Sequence, residues 1–194
     1  MQPKIKVILV ENDLDFVYLF RKKLSLDPDI SFLGHATNKE DAIVLAIEVK
    51  PDIVLMDLNL TADELDGIDA SKEIRLATKA KVIILSSYDN FDTVIQASIK
   101  SFASGYLFKS QLDQVIPTIK LLAKGHTPHE YMIKSLLINQ LTNAEKSILD
   151  NMLGNEDYIP SSGKTIANQK TNIFRKLGVK NKKELIHLFR NTFT

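Results

Sequence analysis

Cysteine and tryptophan are absent from the 194 residues, aromatic side chains make up only 7%, and the net charge is just +1. The missing cysteine excludes a disulfide framework and any thiolate-based site, and it fits a reducing compartment. Long apolar runs are missing as well: nothing approaches the ~20 residues that a membrane span requires. Met1-Gln2-Pro3-Lys4 offers no apolar core of a secretion signal. These absences lead to the expectation of a cytoplasmic protein with no membrane partner. What is present, 44% hydrophobic and 25% charged residues, belongs to an ordinary globular protein. The length allows one average domain and a small second one.

The near-zero net charge conceals an asymmetry. Residues 135–194 hold nine Lys and Arg against five Asp and Glu, whereas residues 1–134 hold sixteen against nineteen. Eight of the nine cations lie between Lys164 and Arg190. A basic segment behind an acidic body points to a polyanionic partner, with a solvated helix face as the plain alternative.

Along the first 124 residues, short β-branched runs alternate with helical patterns. Strands are predicted at 5–10, 30–36, 53–57, 82–86 and 105–108, and helices at 14–24, 38–48, 67–77, 92–101 and 111–124. Thr37-Asn38-Lys39-Glu40 has the form of a capping box, and Pro117 implies a kink or break in the fifth helix. Gly125 is expected to stop that helix, and His126-Thr127-Pro128-His129 to form a linker. From about Tyr131 the pattern is helical, at 131–139, 143–153, 163–177 and 182–190, with Gly154 and Gly178 as stops. The expected fold class is α/β: a five-stranded doubly wound parallel sheet followed by a small all-helical C-terminal domain.

Open α/β sheets place reactive groups beyond the carboxyl ends of their strands. Here the first strand runs into Glu11-Asn12-Asp13, the third ends on Asp57, the fourth on Ser86 and the fifth runs into Lys109. Phosphoryl transfer asks for positioning and charge neutralisation more than for covalent help. A carboxylate approaching a phosphoryl group needs a hard cation, because two anions repel, and Mg²⁺ held by carboxylates, other oxygens and water is the common solution. A lysine adds a fixed positive charge, and a hydroxyl can hydrogen-bond a phosphoryl oxygen.

This order of acid cluster, Asp, Ser and Lys resembles the receiver domain of a two-component response regulator. The resemblance implies Asp57 as the phosphoacceptor, Ser86 as the switch hydroxyl and Lys109 as the pocket lysine. Tyr106, in Gly105-Tyr106-Leu107-Phe108-Lys109, matches the aromatic that changes rotamer. A Mg²⁺ site is implied at Glu11, Asn12, Asp57 and Asn59, the last through its backbone carbonyl. Two departures accompany the match. Asn12 stands where the family's direct carboxylate ligand usually sits, which removes one negative charge and implies weakened Mg²⁺ affinity; Asp13 is the neighbouring acid that a register shift would bring in. The loop Leu60–Gly67 lacks the family's proline and is two residues longer, with several acids. Asp57-Leu58-Asn59-Leu60-Thr61 is also faintly similar to the nucleophile motif of haloacid-dehalogenase-type phosphatases, but Asn59 cannot serve as the general acid/base which that motif needs. No turnover of an external substrate is expected.

Ser161 to Lys182 is similar to the recognition helix of the NarL/LuxR-type helix-turn-helix output domain. Ile166, Ile173, Phe174 and Leu177 form its apolar stripe. Lys164, Thr165, Asn168, Lys170, Thr171 and Arg175 are the candidate DNA-binding residues, offering polar groups to base edges and cations to phosphates. Leu141-Thr142-Asn143-Ala144-Glu145 resembles the opening of that domain, and Val179–Ile186 the start of its last helix. Gly154–Pro160 replaces a scaffold helix and is roughly six residues short of what a helix-turn-helix needs. On this resemblance the chain divides into a flavodoxin-like receiver domain (1–125), a linker (126–134) and a helix-turn-helix-like DNA-binding domain (135–194). It implies a phosphorylation-switched transcription regulator, with a sensor histidine kinase and promoter DNA as partners and a homodimer on activation. A second reading stays open: an atypical receiver serving as a protein-interaction or dimerisation module, with weak or no phosphorylation and a degenerate DNA-binding tail.

Overall fold

The computed structural model describes residues 3–61, 65–154 and 162–193. The chain divides into two compact units, Met1–Glu130 and Tyr131–Thr194.

In the first unit, β1 (Ile5–Val10), β2 (Ile30–Ala36), β3 (Ile53–Met56), β4 (Lys81–Ser86) and β5 (Gly105–Phe108) form one parallel sheet in the order β2-β1-β3-β4-β5. Between the strands run α1 (Leu14–Ser25), α2 (Lys39–Val49), α3 (Asp66–Ala77) and α4 (Phe91–Lys100), with α5 (Val115–Lys124) after β5. This is the α/β architecture expected from the sequence. Strand alternation sorts the apolar residues into layers. Val7, Leu9, Ile53, Leu55, Ile83 and Leu85 cluster with Val17, Phe20 and Leu24 of α1 and with Val115, Ile119 and Leu122 of α5. The alternate positions, from Ile8 and Val10 to Val82 and Ile84, are equally buried. Central strands apolar on both faces require helices on both sides. Because the chain leaves β1 for β2 and returns to β3 on the other flank, the crevice beyond β1 and β3 is the switch point of the sheet. Asp57 follows β3 at that crevice.

Three local expectations are corrected. The cap of α2 is Asn38, not Thr37: Asn38 Oδ1 accepts the Asp41 N–H at 2.9 Å and its Nδ2 donates to Asp41 Oδ2 at 2.8 Å. Asn is at least as good a cap as Thr, and Asp41, one residue beyond the expected Glu40, accepts from the Asn38 side-chain amide and not from its backbone N–H. The helix expected over 111–124 is divided. Lys109–Gln114 winds as 3₁₀ with Gln111 at φ −100°, ψ 39°, and α5 begins at Val115. Pro117 thus falls in the first turn of α5, where its missing N–H has no helical acceptor to lose. The segment expected as a linker is helical from Pro128 on, in α6 (Pro128–Asn139). Thr127 and Glu130 exchange capping bonds there, the Thr127 N–H donating to Glu130 Oε2 at 3.1 Å and the Glu130 N–H to Thr127 Oγ1 at 3.3 Å.

The second unit holds the later turns of α6 together with α7 (Asn143–Leu153), α8 (Gly163–Leu177) and α9 (Lys182–Phe193). Its buried apolar residues include Ile148, Leu149 and Met152 of α7, Ile173 and Leu177 of α8, and Leu185 and Leu188 of α9. Gly178 ends α8 in the left-handed region at φ 67°, a conformation that glycine adopts without a Cβ penalty. Asn155–Ser161, most of the segment expected to replace a scaffold helix, and Ala62-Asp63-Glu64 of the lengthened loop lie outside the described residues. Among the described residues, α8 is the next helix after α7, and no helix is long and apolar enough to cross a membrane.

Candidate functional site

Asp57 leaves β3 with its N–H bonded to the Val10 carbonyl of β1 at 2.9 Å, and its side chain sits in the crevice, 7% exposed. Oδ1 accepts the Leu58 N–H at 2.7 Å, and Oδ2 lies 3.0 Å from Lys109 Nζ. The same ammonium is 2.6 Å from Glu11 Oε2. Glu11 is fully buried, and its Oε1 accepts the Asp13 N–H at 3.1 Å. Beneath the ammonium lies the Phe16 ring, 4.8 Å from Nζ to its centroid, itself stacked on Phe20. One cation therefore serves two carboxylates.

Burial and the shared cation both act on these groups. Burial pushes the Glu11 carboxyl above its ordinary value; the Lys109 hydrogen bond opposes the rise, while the charge of Asp57 adds to it. Burial also works against the charge on Lys109, but the bond to Glu11 and the charge of Asp57 outweigh it and raise the ammonium above its ordinary value. The pocket carries an excess of negative charge.

The remaining candidates for metal binding separate. Asn12 Nδ2 donates to the Leu60 carbonyl at 3.0 Å. Asp13 is not the substitute acid suggested by its position: its Oδ1 caps α1, accepting the N–H groups of Asp15 and Phe16 at 3.0 and 3.2 Å. The exposed first turn of a helix needs such an acceptor, and Asp is among the best. Asn59 Oδ1 accepts the Leu65 N–H, and its Nδ2 donates to the Tyr88 hydroxyl, both at 3.2 Å. Gly67 closes the loop: a Cβ at this position would lie 1.9 Å from the Asp57 carbonyl oxygen, so only glycine permits the approach. Two carboxylates with surplus negative charge, beside amide and backbone oxygens, are hard donors that suit Mg²⁺. Among the described residues no group of three or more His, Cys, Asp or Glu is placed to hold a metal ion. Among the described residues, the carboxylates that meet at Lys109 are Glu11 and Asp57.

Ser86, 1% exposed at the end of β4, accepts the Tyr88 N–H on its Oγ at 3.1 Å. The half-buried Tyr106 donates its hydroxyl to the Tyr88 carbonyl at 3.0 Å. Burial pushes the Tyr106 phenol up, a hydrogen bond with Ser86 opposes this, and the charges of Asp57 and Asp89 add to it. Tyr88 thus joins Asn59, Ser86 and Tyr106. Neither Tyr88 nor Phe16 stands among the candidate residues of the sequence. Their signals were an aromatic two positions beyond the strand-end hydroxyl and another in the first turn after the acid cluster.

A second candidate surface lies on α8. Lys164, Asn168, Thr171 and Arg175 recur at helical spacing and are exposed, whereas Ile173 and Leu177 are buried. Thr165 is exposed at the helix start, its hydroxyl 2.9 Å from that of the N-cap Ser162. Thr171 donates its hydroxyl to the Ala167 carbonyl at 3.2 Å. Lys170 leaves the exposed stripe: it is four residues from both Ile166 and Phe174, on the half-buried flank. Lys176, one of the basic cluster, is committed to the buried Glu145 at 2.7 Å. Glu145 also closes the capping box of α7 with Thr142. Burial works against its charge, but the bonds from Lys176 and Thr142 outweigh this and hold its carboxyl below the ordinary value.

Residues 7–120 match the response regulator receiver domain family. The chain is 30% identical to the transcriptional regulatory protein LiaR of Bacillus subtilis, over 75% of this chain and 68% of that protein. It is 36% identical to a protein-glutamate methylesterase/protein-glutamine glutaminase of Methanospirillum hungatei over 53% of this chain, a match that spans only 29% of the methylesterase. Among solved structures it is similar to a LuxR-family two-component response regulator from Aurantimonas sp., with a TM-score of 0.58 and 26% identity over 63% of this chain and 87% of that one.

Proposed function

The chain belongs to the response regulators of the NarL/LuxR type, and on that premise we propose that it is phosphorylated on Asp57 and regulates transcription by binding promoter DNA in the cytoplasm. The observation that carries this reading is the Lys109 ammonium held between two buried carboxylates, at 2.6 and 3.0 Å. A sensor histidine kinase or a small donor supplies the phosphoryl group. An oxygen of Asp57 attacks phosphorus, the P–N or P–O bond to the donor breaks, and the departing group keeps the electron pair. The product is an acyl phosphate with more negative charge than the carboxylate it replaces.

Lys109 follows that charge, since it already bridges Asp57 and Glu11. Receiver domains generally bind Mg²⁺ at this position; here Glu11, Asp57, Asn12 and the Asn59 carbonyl would hold it, and when bound it would supply neutralising charge for the transferred group. Ser86 gives up the Tyr88 N–H to hydrogen-bond a phosphoryl oxygen. Tyr106, bonded to the carbonyl of Tyr88, moves with that segment. A local gain of charge thereby shifts the population of a two-state element, favouring a homodimer that presents α8 to DNA. Lys164 and Arg175 meet phosphates, and Asn168 and Thr171 face base edges. Lys170 and Lys176 contribute less, because one is half-buried and the other is ion-paired.

The test compares the full chain with Asp57→Asn after treatment with a small phosphodonor and Mg²⁺, following oligomeric state by light scattering and promoter affinity against salt. The expected result is dimerisation and tighter binding with a steep negative salt slope in the parent chain alone. An equal response in Asp57→Asn would contradict the proposal.

A further inference from the structure

Asn12 is where the pocket departs from a carboxylate, and its amide does specific work. Nδ2 donates to the Leu60 carbonyl at 3.0 Å across 48 positions of sequence. Chemistry fixes the orientation, because a carbonyl oxygen only accepts and the amide nitrogen must face it. Leu60 is gripped from its other side as well: its N–H donates to Asp66 Oδ1 at 2.8 Å, and its side chain is buried. The neighbouring Asn59 is held by Leu65 and Tyr88. The turn after β1 and the loop after β3 are therefore tied directly, by a bond internal to the chain.

We infer that Asn12 is a positioning residue whose carboxamide ties the β1–α1 turn to the loop after Asp57, ordering the pocket before any cation arrives at the expense of Mg²⁺ affinity. The inference rests on the reading of this crevice as a Mg²⁺-assisted phosphoacceptor site. An ionised aspartate at position 12 could not make the bond. Its oxygens only accept, so they would face the Leu60 carbonyl in repulsion unless a cation stood between them. It would also add a third carboxylate to Glu11 and Asp57, which already share Lys109. Asn12→Asp therefore exchanges a metal-independent tie for a metal-dependent one, whereas Asn12→Ala loses the tie and gains no charge.

The full chain and the two variants are melted in EDTA and in a MgCl₂ series, with amide exchange followed at Leu60 and Leu65. Asn12→Asp is expected to bind Mg²⁺ about tenfold more tightly than the parent, because carboxylate count sets affinity for hard cations. In EDTA it should melt lower and exchange faster at these amides, and Mg²⁺ should restore both. The parent should change little between the two conditions, and Asn12→Ala should be destabilised in both. Equal melting and protection of Asn12→Asp and parent in EDTA would overturn the inference. So would a parent that gains as much from Mg²⁺ as Asn12→Asp does. Phosphoryl incorporation, read in parallel by intact mass, separates the two layers. A parent that takes no phosphoryl group while the EDTA and Mg²⁺ pattern holds sinks the phosphoacceptor reading and leaves the role of Asn12 standing.

Discussion

At the carboxyl ends of the strands, Lys109 lies 2.6 and 3.0 Å from two buried carboxylates, while at the amino end of β4, Lys81 lies 3.1 Å from one, Glu130. The lower lysine also donates to the Leu122 and Gly125 carbonyls at 3.1 and 2.6 Å, and Glu130 Oε2 receives the Thr127 N–H besides. Glu130 also has the His126 ring beside it, Nδ1 3.4 Å from Oε2, and the charge of the buried Arg75 acts on it; the Lys81 bonds fasten the end of α5 and the start of α6 to β4. At the upper end one cation answers two anions, and the buried Glu11 is pushed toward protonation. A buried ionic group whose partners balance holds structure together. One left short of positive charge is poised to take more, from a metal ion or from a lysine that moves. The same residue types serve two purposes, and the charge balance distinguishes them.

The sharpest way to break this contrast is to remove each lysine in turn. Lys81→Met should lower stability by about 3 kcal/mol, read as a reduced denaturant midpoint, because the buried Glu130 loses the ammonium that bonds it. Phosphoryl incorporation under native conditions should persist. Lys109→Met should do the opposite: a loss of about 100-fold in phosphorylation rate, the scale seen when one preorganised donor is removed from a charge-developing site, with a smaller loss of stability because Glu11 can take up a proton. Similar stability losses and similar rates in the two variants would erase the distinction.

Smaller effects appear in pH dependence, with opposite signs in the two units. The Glu11 carboxyl is raised in the folded chain, so its contribution is fully present below its unfolded value near 4.5 and is lost as pH rises through the folded value. Glu11→Gln should remove that loss, leaving the variant less sensitive than the parent to a rise from pH 4.5 toward neutrality in denaturant titrations. Glu145 is lowered, so its contribution is present above 4.5 and is lost as pH falls through the folded value. Glu145→Gln should flatten the acid limb of unfolding for the second unit, and loss of the charged cap should cost about 1 kcal/mol at neutral pH.

Much of this was legible in the sequence because it is written locally. Apolar runs such as Ile53–Met56 mark buried strands, and a polar residue at the end of such a run marks the crevice, so Asp57, Ser86 and Lys109 could be picked out without coordinates. Capping residues are local too, yet His126-Thr127-Pro128-His129 reads as a linker, while in the structure Thr127 and Glu130 cap α6 and Pro128 opens it, a position proline takes readily. Asp13 lies beside the expected ligands, and its nearer task is to cap α1. What stayed hidden depends on distant chain segments. Phe16 under Lys109, Tyr88 between Asn59 and Tyr106, and Asn12 against Leu60 leave no periodic trace. The pairing of Lys176 with Glu145 likewise could not be read from a count of basic residues.

The most direct measurement is the intact mass of the full chain after incubation with a small phosphodonor and Mg²⁺, beside Asp57→Asn under the same conditions. One added phosphoryl group on the parent and none on the variant is the predicted result. A parent that stays unmodified, or a variant that gains the same mass, would contradict Asp57 as the phosphoacceptor.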